Sequence, residues 1–280
     1  MSVLISRWAK KRSIPCILFQ GMYKNYQGYI KKSLQILYDI IFLPILRSNL
    51  THVICKTKAA EIYLHQKKIY NTNVIGVGIN EEPFSNHQTD WRSKLNIPKE
   101  KKIVIYIGIL EERRNPLLII EIAKSILRND VIFIIVGNGP LYNQMKSQVI
   151  SHCLQEKIVQ IKSLPQSELG GLYNEASILL LPSNYEIFGM VLLESMYHGV
   201  SCITSPNAGS NDIITDETHG IIVDNFVIEE WLIAIDKVLY MRKSNPDIPE
   251  ILQTKFNQSW SWEVLAKQYD TIYSTAINPT

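Results

Sequence analysis

Two glutamates, Glu186 and Glu194, stand eight positions apart in "SNYEIFGMVLLESMYHG", and none of the seven residues between them has a polar side chain. Carboxylates are rarely buried without a partner. The two either face water on a surface helix or face a ligand. A helix beginning near Phe188 sets Glu194 one turn after Met190 and Val191 and one turn before Tyr197 and His198. Its flanks are mostly apolar, and a carboxylate so placed calls for a hydrogen-bond donor such as a sugar hydroxyl. Glu186 alone reads equally well as an exposed loop acid.

Other residues suited to an anion follow apolar runs. Gly108 opens "GILEERRNP", with the adjacent pair Arg113 and Arg114; Gly137, Asn138 and Gly139 form "GNGP"; "SPNAGSNDI" follows "CIT". Ligands of open parallel sheets bind at the carboxyl ends of strands. A helix start at Phe188, Gly189 and Met190 offers unpaired N–H groups and a positive dipole end. An arginine adds a charge-assisted contact. Together these suit a diphosphate. Each alone has a plain reading: the Gly-Asn-Gly as a turn, the arginines as solvent-facing. "GNGP" is not the G-x-G-x-x-G fingerprint, because Tyr142 holds the third glycine's place.

The elements that must carry these residues are legible from Lys101 onward. "KIVIYIG", "VIFIIVG", "KIVQIKS", "SILLLPS", "VSCITS" and "GIIVD" read as buried strands. Between them "NPLLIIEIAKSIL", "GPLYNQMKSQVISHC", "QSELGGLYNEA" and "FGMVLLESMYHG" read as helices, the first with Asn115 as N-cap and Pro116 at its first position. Continuous apolar strands alternating with helices define a doubly wound α/β domain on a parallel sheet. The first 80 residues repeat the pattern with three strands, "IPCILFQ", "HVICKT" and "NVIGVGI", and a helix from Gln27 to about Leu46. Three strands are too few for a sheet wound on both faces. The polar, Pro-bearing stretch 83–100 reads as a linker. After Val223 only helices follow, the last capped by Ser261.

Composition narrows the function classes. Apolar residues make up 46% and charged residues 20%, enough for a core. A net charge of +3 argues against a dedicated nucleic-acid binder. Local basicity at Lys10, Lys11, Arg12, Lys24, Lys31 and Lys32 fits a solvated face or an anionic membrane surface. Cys16, Cys55, Cys153 and Cys202 lack metal-ligand spacing and read as reduced core residues of a cytosolic protein. The six dispersed histidines make a zinc site improbable. The basic residues of "MSVLISRWAKKR" follow the apolar ones, the reverse of a secretory signal. Ser33 to Leu46 contains Asp39 and Pro44 and is too short to span a bilayer.

Taken together, these motifs resemble the retaining family-4 glycosyltransferases of GT-B fold. The pair Glu186 and Glu194 matches the two family glutamates around "fG"; Gly108 and Arg114 match a strand-ending Gly with a basic residue six places later. "GNGP", "LYNEASILLLPS", "GVSCITSPNAGSNDII", "HGIIV" and "WSWEVLAKQYDTIY" fall in the family's order. The resemblance implies an α/β, GT-B-like chain: residues 1–82 a partial Rossmann-like N-terminal domain on the acceptor side, 83–100 a linker, 101–260 a complete nucleotide-sugar-binding domain, and 261–280 a helix crossing back. It implies transfer of a sugar from a nucleotide-diphosphate donor, most often UDP-linked, to a glycan or lipid-linked acceptor with retention, in surface polysaccharide or glycolipid synthesis. Glu194 would bind the ribose hydroxyls, and the N–H groups of Phe188, Gly189 and Met190 the diphosphate or donor sugar. Arg114 would neutralise the leaving diphosphate, and Glu186 would sit beside the reacting carbon. Arg113, Gly108, Gly137, Asn138 and Gly139 complete the expected donor site. No metal or other cofactor is implied, since the cation role falls to arginine and helix dipole.

Two departures stand out. The family usually has Arg directly after the strand-ending Gly, where this chain has Ile109, and Lys is commoner at the place of Arg114. The chain also reads as starting midway through the family's N-terminal domain. A cut sheet exposes an edge, so self-association, a partner chain or peripheral contact with the inner face of the membrane is expected through the first 80 residues. The alternative is a non-catalytic nucleotide-sugar-binding subunit.

Overall fold

The computed structural model describes residues 2–25, 28–85 and 89–278. The chain divides into two compact units: unit 1 is Met1–Gly78 with Trp262–Thr280, and unit 2 is Ile79–Ser261. Elements are numbered along the chain.

Unit 1 holds α1 (Ser2–Lys11), β1 (Ile17–Gln20), α2 (Tyr29–Asn49), β2 (His52–Cys55), α3 (Lys58–Gln66) and β3 (Thr72–Val74). The strands form a parallel sheet in the order β1-β2-β3, with Ile17 opposite His52 and Val53 opposite Thr72. Alternate side chains of β2 point to opposite faces. Val53 and Cys55 pack with Ala60, Leu64 and Ile69. Ile54 packs with Ile75 and with Leu265 of α13 (Trp262–Ile277). The sheet is therefore covered on both faces, against expectation, because a helix nearly 200 residues downstream supplies the second cover. The third strand stops at Val74 rather than running to Ile79. The second helix extends to Asn49; Gln27, read as its start, lies outside the described residues.

Unit 2 begins with α4 (Glu82–Ser85) and α5 (Trp91–Leu95). It continues with β4 (Lys102–Ile107), a 3-10 turn (Glu112–Arg114), α6 (Leu117–Ser125), β5 (Val131–Val136), α7 (Tyr142–Ser151) and β6 (Ile158–Ile161). Then come α8 (Gln166–Glu175), β7 (Ala176–Leu181), α9 (Met190–Tyr197), β8 (Ser201–Thr204), α10 (Ala208–Ile213), β9 (Gly220–Ile222), α11 (Ile228–Ser244) and α12 (Ile248–Ser259). The six strands are parallel, in the order β6-β5-β4-β7-β8-β9. Val104 and Tyr106 of β4 join Phe133, Ile135 and the α6 and α11 side chains, Trp231 among them, in one core. Their neighbours Ile103 and Ile105 are equally buried toward the other face, where α8, α9 and α12 lie. Burial on both faces is why these strands read as unbroken apolar runs.

Four readings need correction. Residues 83–100 are not a free linker: Phe84 and Trp91 are buried in unit 2. Trp91 donates its indole N–H to Glu168 O (3.1 Å), and the Glu175 carboxylate accepts from the N–H groups of Trp91 and Arg92 (2.7 and 3.0 Å). Asn115 does not cap α6. It is left-handed (φ 48°, ψ 45°), closing the 3-10 turn, and Pro116 takes the cap position. Ser261 turns its hydroxyl back to Asn257 O (2.9 Å) instead of capping α13. Cys55 and Cys202 are buried, but Cys153 is exposed at the end of α7 and Cys16 is half-buried.

Candidate active site

The chain leaves β4, builds outward through β5 and β6, and returns to lay β7 against the other side of β4. Loops after β4 and β7 therefore diverge, and a crevice opens between them at the carboxyl edge, where open α/β sheets bind ligands. Several contacts join the two loops. Asn184 N–H donates to Arg113 O (2.9 Å), Arg113 Nη1 donates to Tyr185 O (2.8 Å), and Arg114 Nη1 meets Glu186 Oε1 at 2.8 Å.

Glu186 is buried, with 5% of its surface exposed, so it is no exposed loop acid. Its charge is balanced by Arg114, and Ser183 Oγ donates to Oε1 (3.3 Å). Ser183 is held in turn by Ser205, whose hydroxyl donates to Ser183 O (2.6 Å). Ser205, Asn207 and Ser210 form a buried polar knot at the start of α10, where Asn207 and Ser210 cap one another. The sequence signals this support only as the polar run "SPNAGSNDI" after a buried strand.

The two adjacent arginines differ. Arg114 has 18% of its side chain exposed, and its buried Nε has no hydrogen-bond acceptor among the described residues; Glu111 Oε1 lies 3.9 Å away. Arg113 is 40% exposed, is paired with Glu111 at 2.7 Å and stands 4.0 Å from Glu186 Oε2. An orphaned guanidinium donor costs free energy that an anion would recover. Ile109, in the place of the family arginine, is 53% exposed, and its carbonyl accepts from Tyr106 Oη (3.0 Å). Burial raises the Tyr106 phenol above its ordinary range, and Arg114 opposes that rise.

Gly189 stands before α9 in the left-handed region (φ 77°), where the missing Cβ removes the steric cost. The N–H groups of Phe188, Gly189 and Met190 have no acceptor among the described residues. Phe188 is buried against Trp260, their rings 5.5 Å apart and near-perpendicular, while Met190 is exposed. A Cβ on Gly209 of α10 would lie 1.6 Å from Phe188 O, so only glycine lets α10 press on this turn.

The "GNGP" loop lies beside the loop after β4. Leu110 N–H donates to Asn138 O (2.9 Å), and a Cβ on Gly137 or Gly139 would sit 1.9 Å from Gly108 O or 2.5 Å from Leu110 O. These glycines are explained by close backbone packing. Asn138 itself is exposed, and Gly108 faces Arg114 Nη1, 3.2 Å from its would-be Cβ.

Glu194 is half-buried in α9, and a protein group already meets one of its oxygens: Tyr173 Oη donates to Oε2 at 2.8 Å. Burial raises the Glu194 carboxyl above its ordinary range, and the Tyr173 bond partly opposes this. Tyr173 is fully buried and stacks on His198 (5.2 Å, 7°), with Phe84 set edge-on to both. His198 Nδ1 donates to Asn174 Oδ1 (2.8 Å), and its buried Nε2 has no partner among the described residues. Desolvation lowers this imidazole to about 4. Sequence reasoning missed Tyr173 because its partner lies 21 residues away, across two elements. Among the described residues no group of three or more His, Cys, Asp or Glu is placed to hold a metal ion.

Known proteins share this arrangement of elements. A crystal structure of Anabaena Alr3699/HepE in complex with UDP superposes with TM-score 0.85 at 14% identity, covering 98% of this chain and 76% of that one. WaaG, a glycosyltransferase involved in lipopolysaccharide biosynthesis, superposes with TM-score 0.68 at 16% identity, covering 96% and 80%. At these identities the likeness is one of fold, and the fold is GT-B-like. In sequence, the chain is 25% identical over 256 residues to UDP-Gal:alpha-D-GlcNAc-diphosphoundecaprenol alpha-1,3-galactosyltransferase of Escherichia coli. It is 24% identical over 232 residues to alpha-monoglucosyldiacylglycerol synthase of Streptococcus pneumoniae. These alignments take in 85% and 78% of this chain but 65% and 53% of the relatives. The family described as glycosyl transferases group 1 matches residues 87–251, more than half the chain and nearly all of unit 2, and the chain belongs to that family.

Proposed function

We propose that this chain binds a nucleotide-diphosphate sugar, UDP-linked, at the carboxyl edge of unit 2 and transfers the sugar to a glycan or glycolipid hydroxyl with retention, as a hexosyltransferase. The single observation that carries the reading is the Arg114–Glu186 pair at the switch point, beside three N–H groups at the start of α9 that meet no acceptor among the described residues. The acceptor oxygen bonds to the anomeric carbon as that carbon's bond to the diphosphate breaks, and the acceptor's proton leaves with the diphosphate. Arg114 and the α9 N–H groups meet the growing negative charge. Glu186 faces the sugar near the anomeric carbon, where its charge stabilises the developing cation. Glu194, oriented by Tyr173, binds the ribose hydroxyls.

The names of relatives support this choice of substrates. The Escherichia coli relative takes its sugar from UDP-Gal and acts on a diphosphoundecaprenol-linked acceptor, and Alr3699/HepE has been seen with UDP-glucose. These names support the reading that this chain works on surface glycolipids or polysaccharides at the inner face of the membrane. Calorimetry with UDP tests the donor site: Glu194→Ala should weaken binding about tenfold or more. Unchanged affinity sinks the ribose assignment. Product anomers read by NMR test retention. UDP binding with no transfer or hydrolysis of any UDP-sugar supports a non-catalytic nucleotide-sugar-binding subunit instead.

A further inference from the structure

The first fifty residues carry eight lysines and arginines against one acid, Asp39, a net +7; with +3 for the whole chain, the other 230 residues carry −4. The single acid is paired with Lys67. The same segment exposes apolar side chains in register. On α2, Gln35, Asp39, Phe42 and Leu46 recur at helical spacing and turn inward, and Leu46 is the only buried residue of the helix. Ile30, Leu34, Leu37 and Ile41 recur at the same spacing on another side and are between 49% and 79% exposed. On α1, which packs against α2, Val3, Ser6 and Ala9 are buried while Leu4, Ile5 and Trp8 are 52–71% exposed. Lys10, Lys11 and Arg12 close α1, and Lys31 and Lys32 open α2.

Monomeric proteins rarely show contiguous apolar patches beyond a few hundred Å² unless something covers them. Water does not suit this face. A protein partner would satisfy the apolar stripes but gives no reason for a segment almost free of carboxylates. An anionic lipid surface accounts for both: basic residues are drawn to it at about 1 kcal/mol each, and apolar side chains sink into the headgroup boundary. A groove of about 700 Å³, lined by Leu18, Leu43, Leu64 and Ile69, shares Lys31 and Leu34 with this face, so hydrocarbon can continue inward from it. No described helix is long and apolar enough to cross a membrane.

We infer that the α1–α2 face of unit 1 docks on an anionic lipid bilayer, lying in its interface without spanning it. This sharpens the membrane location proposed above but is read independently of donor chemistry. The full chain should float with phosphatidylcholine vesicles containing phosphatidylglycerol and stay behind with phosphatidylcholine alone. Raised salt should weaken the binding. Exchanging Lys11, Lys31 and Lys32 for Gln should cost about a hundredfold in vesicle affinity, near fivefold per charge. Leu34→Gln with Ile41→Gln, both on exposed positions, should weaken it further at high salt. UDP affinity, measured without vesicles, should be unchanged in every variant; its loss from the wild-type chain would count against the donor site, not this surface. Equal binding to neutral and anionic vesicles overturns the proposal. So does concentration-dependent self-association that buries Leu34 and Ile41 in a chain that ignores vesicles.

Discussion

Arg114 Nη1 and Glu186 Oε1 lie 2.8 Å apart, joining the loops that diverge from β4 and β7. Each side chain holds the other, yet Arg114 keeps a buried donor at Nε that meets no acceptor among the described residues. The pair sets a cation and a carboxylate at one point, each balancing the other's charge. Arg114→Ala strips the buried Glu186 of its counter-charge and removes the anion contact. It should weaken UDP binding by about tenfold to a hundredfold, since hydrogen bonds to charged groups contribute about 1.5–3 kcal/mol. Arg113→Ala, at the more exposed site, should cost less than about fivefold. Titration calorimetry of both variants decides the ranking; the opposite order would hand the diphosphate to Arg113.

Tyr173→Phe keeps the ring stack on His198 but deletes the donor to Glu194. The carboxylate then loses the contact that favours its charged form. Burial has already raised its pKa. The unliganded protein should lose stability as pH rises from the ordinary carboxylate range through the raised folded value, because the folded state holds the proton longer. Tyr173→Phe should steepen this loss and Glu194→Gln should abolish it, as read from thermal midpoints across that range.

His198 gives the opposite sign. Its imidazole falls from an ordinary 6.5 to about 4. The neutral form is favoured in the fold, so the contribution is complete above the unfolded value and is lost as pH drops toward the folded one. Unit 2 should lose about 2 kcal/mol between about pH 7 and about pH 5 from this residue. Urea unfolding should show the loss in the wild type and not in His198→Gln.

Gly209→Ala places a methyl group 1.6 Å from Phe188 O, where backbone must move. Overpacking of this kind costs about 1–3 kcal/mol. Because the displaced atom belongs to the turn into α9, donor affinity should fall together with stability. A variant with lowered Tm and unchanged UDP affinity would show that the turn is not part of the binding surface.

The architecture of unit 2 was readable in sequence because its parallel strands are buried on both faces and leave continuous β-branched runs such as "VIFIIV". The residues facing the crevice were readable for a related reason: each follows the end of such a run. What stayed hidden depends on distance along the chain. Phe84 and Trp91 sit in a polar stretch with no period, so their burial against α8 leaves no local trace. Tyr173 looked like one more core aromatic. Asn115 has the right type and place for a cap, but the 3-10 turn before it needs a left-handed residue there, and asparagine tolerates that conformation. On α2 helical spacing alone would suggest a core-facing helix, yet eight of its twelve apolar residues, Tyr29 to Ile41, meet solvent.

The second cover of the unit 1 sheet has a consequence for biosynthesis. Leu265 of α13 closes over Ile54 and Ile75, and Tyr269 bonds to Gly76 O (2.9 Å). On the ribosome the β1-β2-β3 sheet emerges first but must wait, one face bare, until the whole of unit 2 has been translated. Unit 2 is a continuous segment, free to fold as soon as it clears the exit tunnel. The order of synthesis is thus the reverse of the order of completion. During that interval Ile54 and Ile75 stay without the cover that Leu265 gives them.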